Sequence, residues 1–169
     1  MRRFLIVFAA VANLVLVDAV TKEIAAARLK GCAAVSVIPG CFSLAYVENR
    51  GCAWGMLQGQ DWPLAVFAVV ALAVIVWRRR DIFAVPEGSP RSAAVLGAVA
   101  EPLVLAGIIG NLVDRVFRGY VVDMLDFHWG ASHFPCFNFA DTCICVGAGM
   151  VVLSSLLTPS RAEGKESGE

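Results

Sequence analysis

Two aspartates stand in apolar surroundings, where a charged side chain has little reason to be. Asp123 lies in the stretch GYVVDMLDF, and Asp141 lies in FNFAD at the start of a long apolar segment. A low-dielectric setting raises the pKa of a carboxyl group, and two carboxylates brought together there tend to share one proton. The ionised member can then accept a proton from water while the protonated member donates one to an amide. Eighteen residues separate the two aspartates, which is enough chain to bring them together as a candidate catalytic pair for hydrolysis.

Asp141 also fits a purely structural role at the start of a helix. Asn138 stands three residues earlier, so it is placed to be the N-cap of a capping box in which Asp141 is the third helical residue. The dipole at this end of a helix favours negative charge. The capping role and the catalytic role are compatible, and the sequence leaves both open.

The stretch GIIGNLVDR carries further polar residues beside glycines that permit close helix packing. Asn111, Asp114 and Arg115 are three or four residues apart and therefore share one face of a helix. Asp114 also has ion-pair spacing to Arg118. We expect either a pair at the end of a helix or a set of side chains that holds the reactive acids in place.

The amino-acid composition indicates whether the surroundings of these residues are water or a membrane. The chain of 169 residues is 59% hydrophobic and only 17% charged, whereas soluble domains are about 45–50% apolar and about 25% charged. Fourteen basic residues balance fourteen acidic ones, so no excess of positive charge is available to bind nucleic acid. Disorder is excluded by the same apolar content, and an integral membrane protein remains.

Four segments are long enough, or nearly so, to cross a bilayer as helices. They lie at residues 4–21, 62–77, 92–113 and 139–157. The sequence thus predicts a mainly α integral membrane protein with four transmembrane helices, forming one domain over residues 1–157. The first span reaches residue 21 if Lys22 snorkels to the interface. Residues 158–169 are polar and are expected to form a disordered cytoplasmic tail.

Basic residues orient the spans. The arginines at 78–80 lie directly beside the second span, and charges next to a span end favour the cytoplasm. Both termini and the loop at residues 80–91 are therefore placed in the cytoplasm, and the loops at residues 22–61 and 114–138 on the outer side. A basic start before an apolar run is also typical of a cleaved signal peptide, but its removal would take Asp18 away from the other acids.

The two outer loops differ in their patterns. In the first, residues 22–30 can continue a helix, and two strands joined at Pro39 and Gly40 are expected to form a small β-containing extracytoplasmic subdomain. In the second, the apolar neighbours of Asp123 are expected to lie in the lipid interface. Glu101 is an unexplained acid within the third span, and Asn13 is our suggested partner for it.

The cysteines and histidines offer two further possibilities. Cys32 and Cys41 flank the expected turn, and the sequence leaves open whether they form a disulfide. Cys143 and Cys145 fall in the fourth span and are expected to pack as small apolar residues. The sequence also places His128, His133 and Cys136 near one another. Their spacing matches no strong zinc pattern, so we predict no metal site.

Five stretches together resemble the lipoprotein signal peptidase family (signal peptidase II), the membrane aspartic proteases of bacteria. They occur in the family's order, with similar loop lengths and four spans. The stretches are DAVTK (18–22), YVENRGCAWGML (46–57), GNLVDR (110–115), GYVVDMLDFHW (119–129) and FPCFNFAD (134–141). Cys52, Trp54 and Met124 depart from the residues usual in the family, and Glu101 with Pro102 is unexpected in it.

The resemblance implies that diacylglyceryl-modified prolipoproteins are cleaved just before the lipidated cysteine. It implies no cofactor or metal, contacts with membrane lipids, no nucleic-acid partner, a monomer, and a site at the outer face of the bacterial cytoplasmic (inner) membrane. Asp123 and Asp141 match the catalytic pair. The positions that match residues shaping the pocket or binding substrate are Asp18, Asn49, Gly51, Asn111, Asp114, Arg115, Asn138 and Ala140.

Two alternatives use the same residues differently. A proton-coupled transporter would use the acids as a relay, but a relay should be spread through the membrane, and here only Glu101 lies near the middle of a span. A metal-dependent hydrolase would use His128, His133 and Cys136, and its activity would be lost with a chelator and restored by zinc.

Overall fold

The computed structural model describes residues 1–52 and 56–158. Trp54 and the predicted tail beyond Thr158 lie outside the described residues. In chain order the elements are α1 (Arg2–Leu29), β1 (Val35–Ile38), β2 (Phe42–Asn49), α2 (Asp61–Trp77), α3 (Arg79–Phe83), α4 (Arg91–Arg118), β3 (Val121–Trp129), β4 (Ser132–His133) and α5 (Phe139–Leu157).

Three of the described helices, α1, α4 and α5, are long and apolar enough to cross a membrane, and α2 is a shorter apolar helix. Large apolar side chains such as Phe8 on α1 and Phe67 on α2 are exposed on the surface of the protein, as expected where lipid is the solvent. The first helix continues to Leu29, as predicted for residues 22–30. The expected loop at 80–91 is partly wrong, because its first residues form α3.

Helix α4 packs against α5 through glycines that leave no room for a side chain. A Cβ added at Gly107 would lie 2.4 Å from the carbonyl oxygen of Ala140, and one added at Gly147 would lie 2.7 Å from Val104. Small residues at a helix contact allow the two backbones to approach closely. This contact sets the distance between α4 and the first turn of α5, where Asp141 lies.

The sheet is antiparallel, with strand order β1-β2-β3-β4. The predicted hairpin at Pro39 and Gly40 is confirmed as β1 and β2. The segment around Asp123 does not lie in the lipid interface as expected, because it forms β3, which pairs with β2 and packs against Ala25 of α1. Val122 and Met124 are buried in that contact, so protein rather than lipid surrounds Asp123.

Glu101, in the first half of α4, is paired with two arginines. Its carboxylate lies 2.7 Å from Arg79 Nη2 and 3.3 Å from Arg3 Nη2. The suggested partner Asn13 is wrong, since its amide donates instead to the carbonyl of Ala9 on its own helix. A buried carboxylate needs a cation, and arginines of α1 and α3 supply it.

The cysteines are all free thiols in the structure. Cys32 is exposed and Cys41 is half-buried, with no bond between them. Cys143 is buried in the packed interior as expected, whereas Cys145 is exposed on the surface of α5.

Replacing Gly107 with alanine should destabilise the protein by about 1–3 kcal/mol, because the new Cβ would push α4 away from α5. Gly149→Ala is the matched control, since a Cβ at Gly149 meets nothing within 4 Å. That control should be neutral or slightly stabilising, because alanine favours a helix. Thermal unfolding in detergent measures both, and equal unfolding temperatures would contradict the packing argument.

Candidate active site

One buried asparagine bonds both candidate catalytic carboxylates. The side-chain amide of Asn138 donates to Asp123 Oδ1 at 2.7 Å, and its backbone N–H donates to Asp141 Oδ2 at 3.2 Å. The Asn138 side-chain oxygen in turn accepts from the Asp141 backbone N–H at 2.9 Å. The predicted capping box is therefore confirmed. The cap that starts α5 also ties Asp141 to Asp123 on β3.

Each carboxylate receives a second amide from a different element. Asn49, at the end of β2, donates to Asp123 Oδ2 at 2.9 Å, and Asn111 of α4 donates to Asp141 Oδ1 at 2.7 Å. The Asn138 amide also donates to Asn111 Oδ1 at 3.1 Å. Four elements thus meet at two carboxyl groups, and each carboxyl oxygen of the pair accepts a hydrogen bond.

The pKa of Asp123 is raised from its ordinary value of 3.8 to about 7. Burial of the side chain is the largest cause, and the nearby charge of Asp141 is the second. Hydrogen bonds from Asn49 and Asn138 and the charge of Lys22 act in the opposite direction but are outweighed. Near neutral pH Asp123 is therefore close to half protonated, as a group that donates a proton in catalysis requires.

A buried lysine, Lys22, is connected to the Asp123–Asp141 pair through Asn111. Lys22 does not snorkel to the interface as expected, because its ammonium lies 2.7 Å from Asp18 Oδ2 and 3.1 Å from Asp114 Oδ2, and donates to Asn111 Oδ1 at 3.1 Å. Only 1% of the lysine is exposed. Arg118 adds a second cation, with Nε 3.0 Å from Asp114 Oδ1. The expected pair of Asp114 with Arg118 is confirmed, and the buried acids are balanced by two cations.

Asp18 and Asp114 each hold the backbone directly beside one candidate catalytic residue. Asp18 Oδ1 accepts from the N–H of Ala140 at 2.9 Å, and Asp114 Oδ2 accepts from the N–H of Val122 at 3.2 Å. Ala140 precedes Asp141, and Val122 precedes Asp123. Lys22 bridges Asp18 and Asp114, so one cation holds both carboxylates that bind these backbone N–H groups.

The loop after β2 is fastened to α4 by an arginine. Arg115 donates to the carbonyl oxygen of Gly51 at 3.2 Å and to that of Asn111 at 3.3 Å. The N–H of Gly51 donates to Asn49 Oδ1 at 2.9 Å. A Cβ at Gly51 would lie 2.4 Å from the Met56 carbonyl oxygen, so this close turn requires glycine. The loop thereby orients Asn49 toward Asp123.

Two cavities meet at the pair. An apolar cavity of about 700 Å³ lies between α2, α4 and α5 and reaches Asp141 and Asn111, with Phe67 and Ile144 in its walls. A second cavity of about 520 Å³ reaches Asp123 from the side of the sheet. The carboxylates thus lie where an apolar passage meets a more polar one, which suits hydrolysis of an amide next to an apolar segment.

All ten site residues predicted from the sequence lie in this cluster or in the contacts that support it. Lys22 is the functional residue that our sequence reasoning missed. Its signal was the four-residue spacing to Asp18, which places both side chains on one helix face.

The histidines near Asp123 have other partners. His128 Nε2 lies 3.1 Å from Ser43 Oγ, and His133 Nδ1 lies 2.8 Å from Asp126 Oδ1. Burial, followed by the charges of Asp123 and Asp126, raises the pKa of the Cys136 thiol to about 12, which disfavours the thiolate that binds metals. Within residues 1–52 and 56–158, no three His, Cys, Asp or Glu side chains are arranged to hold a metal ion.

Comparisons with known proteins agree with one another. A family model described as "Signal peptidase (SPase) II" matches residues 10–157. A lipoprotein signal peptidase of Syntrophotalea carbinolica is 43% identical over 143 residues, covering 83% of this chain and 84% of the relative. One from Symbiobacterium thermophilum is 42% identical and covers 85% and 89%. A solved structure titled "Bacterial membrane enzyme structure by the in meso method at 1.9 A resolution" superposes with a TM-score of 0.72 and 29% identity, covering 91% of this chain and 94% of that one.

Asp123→Asn should remove a pH dependence of stability that the unaltered protein shows. Since the folded pKa of about 7 lies above the ordinary 3.8, the folded state binds the proton more tightly, and stability falls as pH rises from about 4 to about 7. The asparagine does not titrate, so the variant should lack this fall in stability, which is on the order of 4 kcal/mol between pH 4 and pH 8 in the unaltered protein. Thermal unfolding in detergent at pH 5 and pH 8 tests this.

The matched control for that experiment is Asp126→Asn on the same strand, whose carboxylate pairs with the exposed His133. This variant should keep the fall in stability between pH 5 and pH 8. A stability difference between Asp123→Asn and the unaltered protein that stays constant with pH would contradict the raised pKa.

Proposed function

The chain belongs to the signal peptidase II family, and on that premise we propose that it removes signal peptides from diacylglyceryl-modified prolipoproteins by cleaving just before the lipidated cysteine. The chain is a peptidase of a bacterial membrane. The observation that carries the proposal is the pair of carboxyl groups held by Asn138 at the end of an apolar cavity.

The two aspartates have different roles in the proposed mechanism. Asp141 stands at the N-terminus of α5 and accepts two N–H donors, and both features stabilise a carboxylate there. It accepts a proton from the attacking water, whose oxygen bonds to the scissile carbonyl carbon. Asp123, with its raised pKa, donates a proton to the amide. The C–N bond then breaks to give a carboxylic acid and an amine, and one water molecule is consumed.

The apolar cavity supplies the binding site for an apolar substrate. Its walls on α2, α4 and α5 offer side chains such as Leu64, Phe67 and Ile144, which suit either acyl chains or the apolar core of a signal peptide. Arg115 and Asn49 lie where this cavity meets the carboxylates. In this proposal they hold the extended backbone around the scissile bond.

The arrangement in the membrane completes the proposal. Helix α2 is the remaining span besides α1, α4 and α5, and residues 1–157 form a single domain. Both termini and α3 face the cytoplasm, because arginines cluster at 78–80. The sheet and the aspartates then lie at the outer face of the cytoplasmic membrane. We propose a monomer that needs no metal or other cofactor.

Asp123→Asn and Asp141→Asn should each lower the rate of prolipoprotein cleavage at least about 100-fold, because neither amide replaces the lost acid or base. The assay follows release of the signal peptide from a purified diacylglyceryl-modified prolipoprotein, with an EDTA arm that should leave the rate unchanged. Glu23→Gln makes the same chemical change at an exposed residue and should retain activity. Full activity in either aspartate variant would refute the proposed pair.

The rate of cleavage should fall as pH rises above about 7, because Asp123 then loses the proton that it donates. The Asn49 amide stabilises the ionised form of Asp123. Asn49→Ala should therefore move the alkaline limb of the pH–rate profile, where the cleavage rate falls, to higher pH. Asn13→Ala removes an amide whose hydrogen bond among the described residues lies within α1, and it should leave the limb in place. An unchanged limb in Asn49→Ala, or a shift to lower pH, would contradict the assignment to Asp123.

A further inference from the structure

A third cavity lies away from the two that reach the aspartates. It has a volume of about 330 Å³ and opens between the end of α1, the face of the sheet and the first turn of α5. Its walls are apolar, with Ile24 and Ala25 on α1, Leu44 on β2, Met124 on β3 and Phe139 on α5. Apolar cavities of this kind offer water no hydrogen-bond partners, so an apolar occupant is favoured.

The rim of this cavity carries an unusual cation, Arg28. At the same end of the molecule, Lys22, Lys30 and Arg118 each contact a carboxylate. Arg115 donates to backbone carbonyl oxygens, and Arg50 lies over the ring of Tyr120. Arg28 is exposed in the last turn of α1, and in the part of the chain that the structure describes its guanidinium contacts no acceptor. The mouth of this apolar cavity therefore carries an exposed positive charge.

We propose that a glycerophospholipid of the surrounding membrane occupies this site, with part of an acyl chain in the cavity and its phosphodiester at Arg28. The apolar walls match the chain, and the unpaired guanidinium matches the phosphate, which it can bind through two parallel N–H donors. Ile24 in the wall of the cavity is exposed and apolar. Val37 and Ile38 on β1, the strand beside β2, are also exposed and apolar, so this surface suits contact with lipid.

The position of this site links it to the strand that carries Asp123. Successive side chains of a strand point to opposite faces, so Met124 faces the cavity while Asp123 faces the site on the other side of β3. Phe139, at the start of α5, stands two residues before Asp141. A bound acyl chain would fill the space behind both aspartates and limit the movement of the backbone that holds them.

Photocrosslinking on the full-length protein in lipid nanodiscs tests the proposal. The probe is phosphatidylglycerol with a diazirine in the first part of one acyl chain, and mass spectrometry of the peptides locates the adducts. We expect adducts at Ile24, Leu44 and Met124. Arg28→Gln should lower this labelling about fivefold, the effect of one interfacial cation, whereas Lys30→Gln, which loses a cation already paired with Glu48, should change it less.

A second pair of variants distinguishes the cavity from general contact with lipid. Ile24→Trp fills the entrance and should abolish the adducts at Leu44 and Met124. Ile6→Trp is the matched control, because Ile6 is also exposed and lies five turns earlier on the same face of α1. It should leave those adducts unchanged, and persistence of the Leu44 and Met124 adducts in Ile24→Trp would overturn the proposal.

A photoactivatable diacylglycerol, which lacks the phosphate, tests the role of Arg28 separately. It should label the cavity weakly, and to the same extent with and without the arginine. Equal labelling by both probes, or equal loss in Arg28→Gln and Lys30→Gln, would overturn the assignment of the phosphodiester to Arg28. Binding is measured without substrate, so failure of this proposal and failure of the proposed peptidase function are separate results.

Discussion

The neutralisation of charge around Lys22 is the constraint on which the rest of the site depends. Asp18 and Asp114 are buried on neighbouring helices, and removing each carboxylate from water costs several kcal/mol unless a cation compensates. Lys22 lies between them. Each acid uses its other hydrogen-bonding capacity to hold a backbone N–H next to one of the catalytic candidates. Lys22, together with Arg118 on Asp114, therefore allows two buried carboxylates to position two more.

This arrangement explains how a strand and a helix from different parts of the chain hold a fixed geometry. Asp123 belongs to a sheet supported by α1, and Asp141 belongs to a helix packed on α4. Asn138 connects them directly, and the Lys22 cluster connects the elements beneath them. The repulsion between the two carboxylates, which contributes to the raised pKa of Asp123, is opposed by hydrogen bonds from three asparagines.

The sequence predicted the long helices, the hairpin and the two aspartates because each has a local signal. Other site residues, such as Asn49, Gly51 and Ala140, were identified only from the family resemblance. The capping box of Asn138 and Asp141 follows from their spacing, and the spans follow from apolar length. The burial of Lys22 and the strand around Asp123 were missed because both depend on tertiary partners. A lysine at the end of a span is ordinarily taken to reach water, and only the positions of Asp114 and Asn111 on α4 show why this one does not.

The pairing of Glu101 with Arg3 and Arg79 has a consequence for the biosynthesis of the protein. A carboxylate that enters the hydrocarbon region alone is costly, whereas one that meets a cation on entry is not. Arg3 and Arg79 both precede Glu101 in the chain, so the ribosome has already produced both counter-ions when α4 emerges. Because both arginines are synthesised before Glu101, they are available to pair with it when α4 enters the bilayer, and the charge of the carboxylate is then compensated.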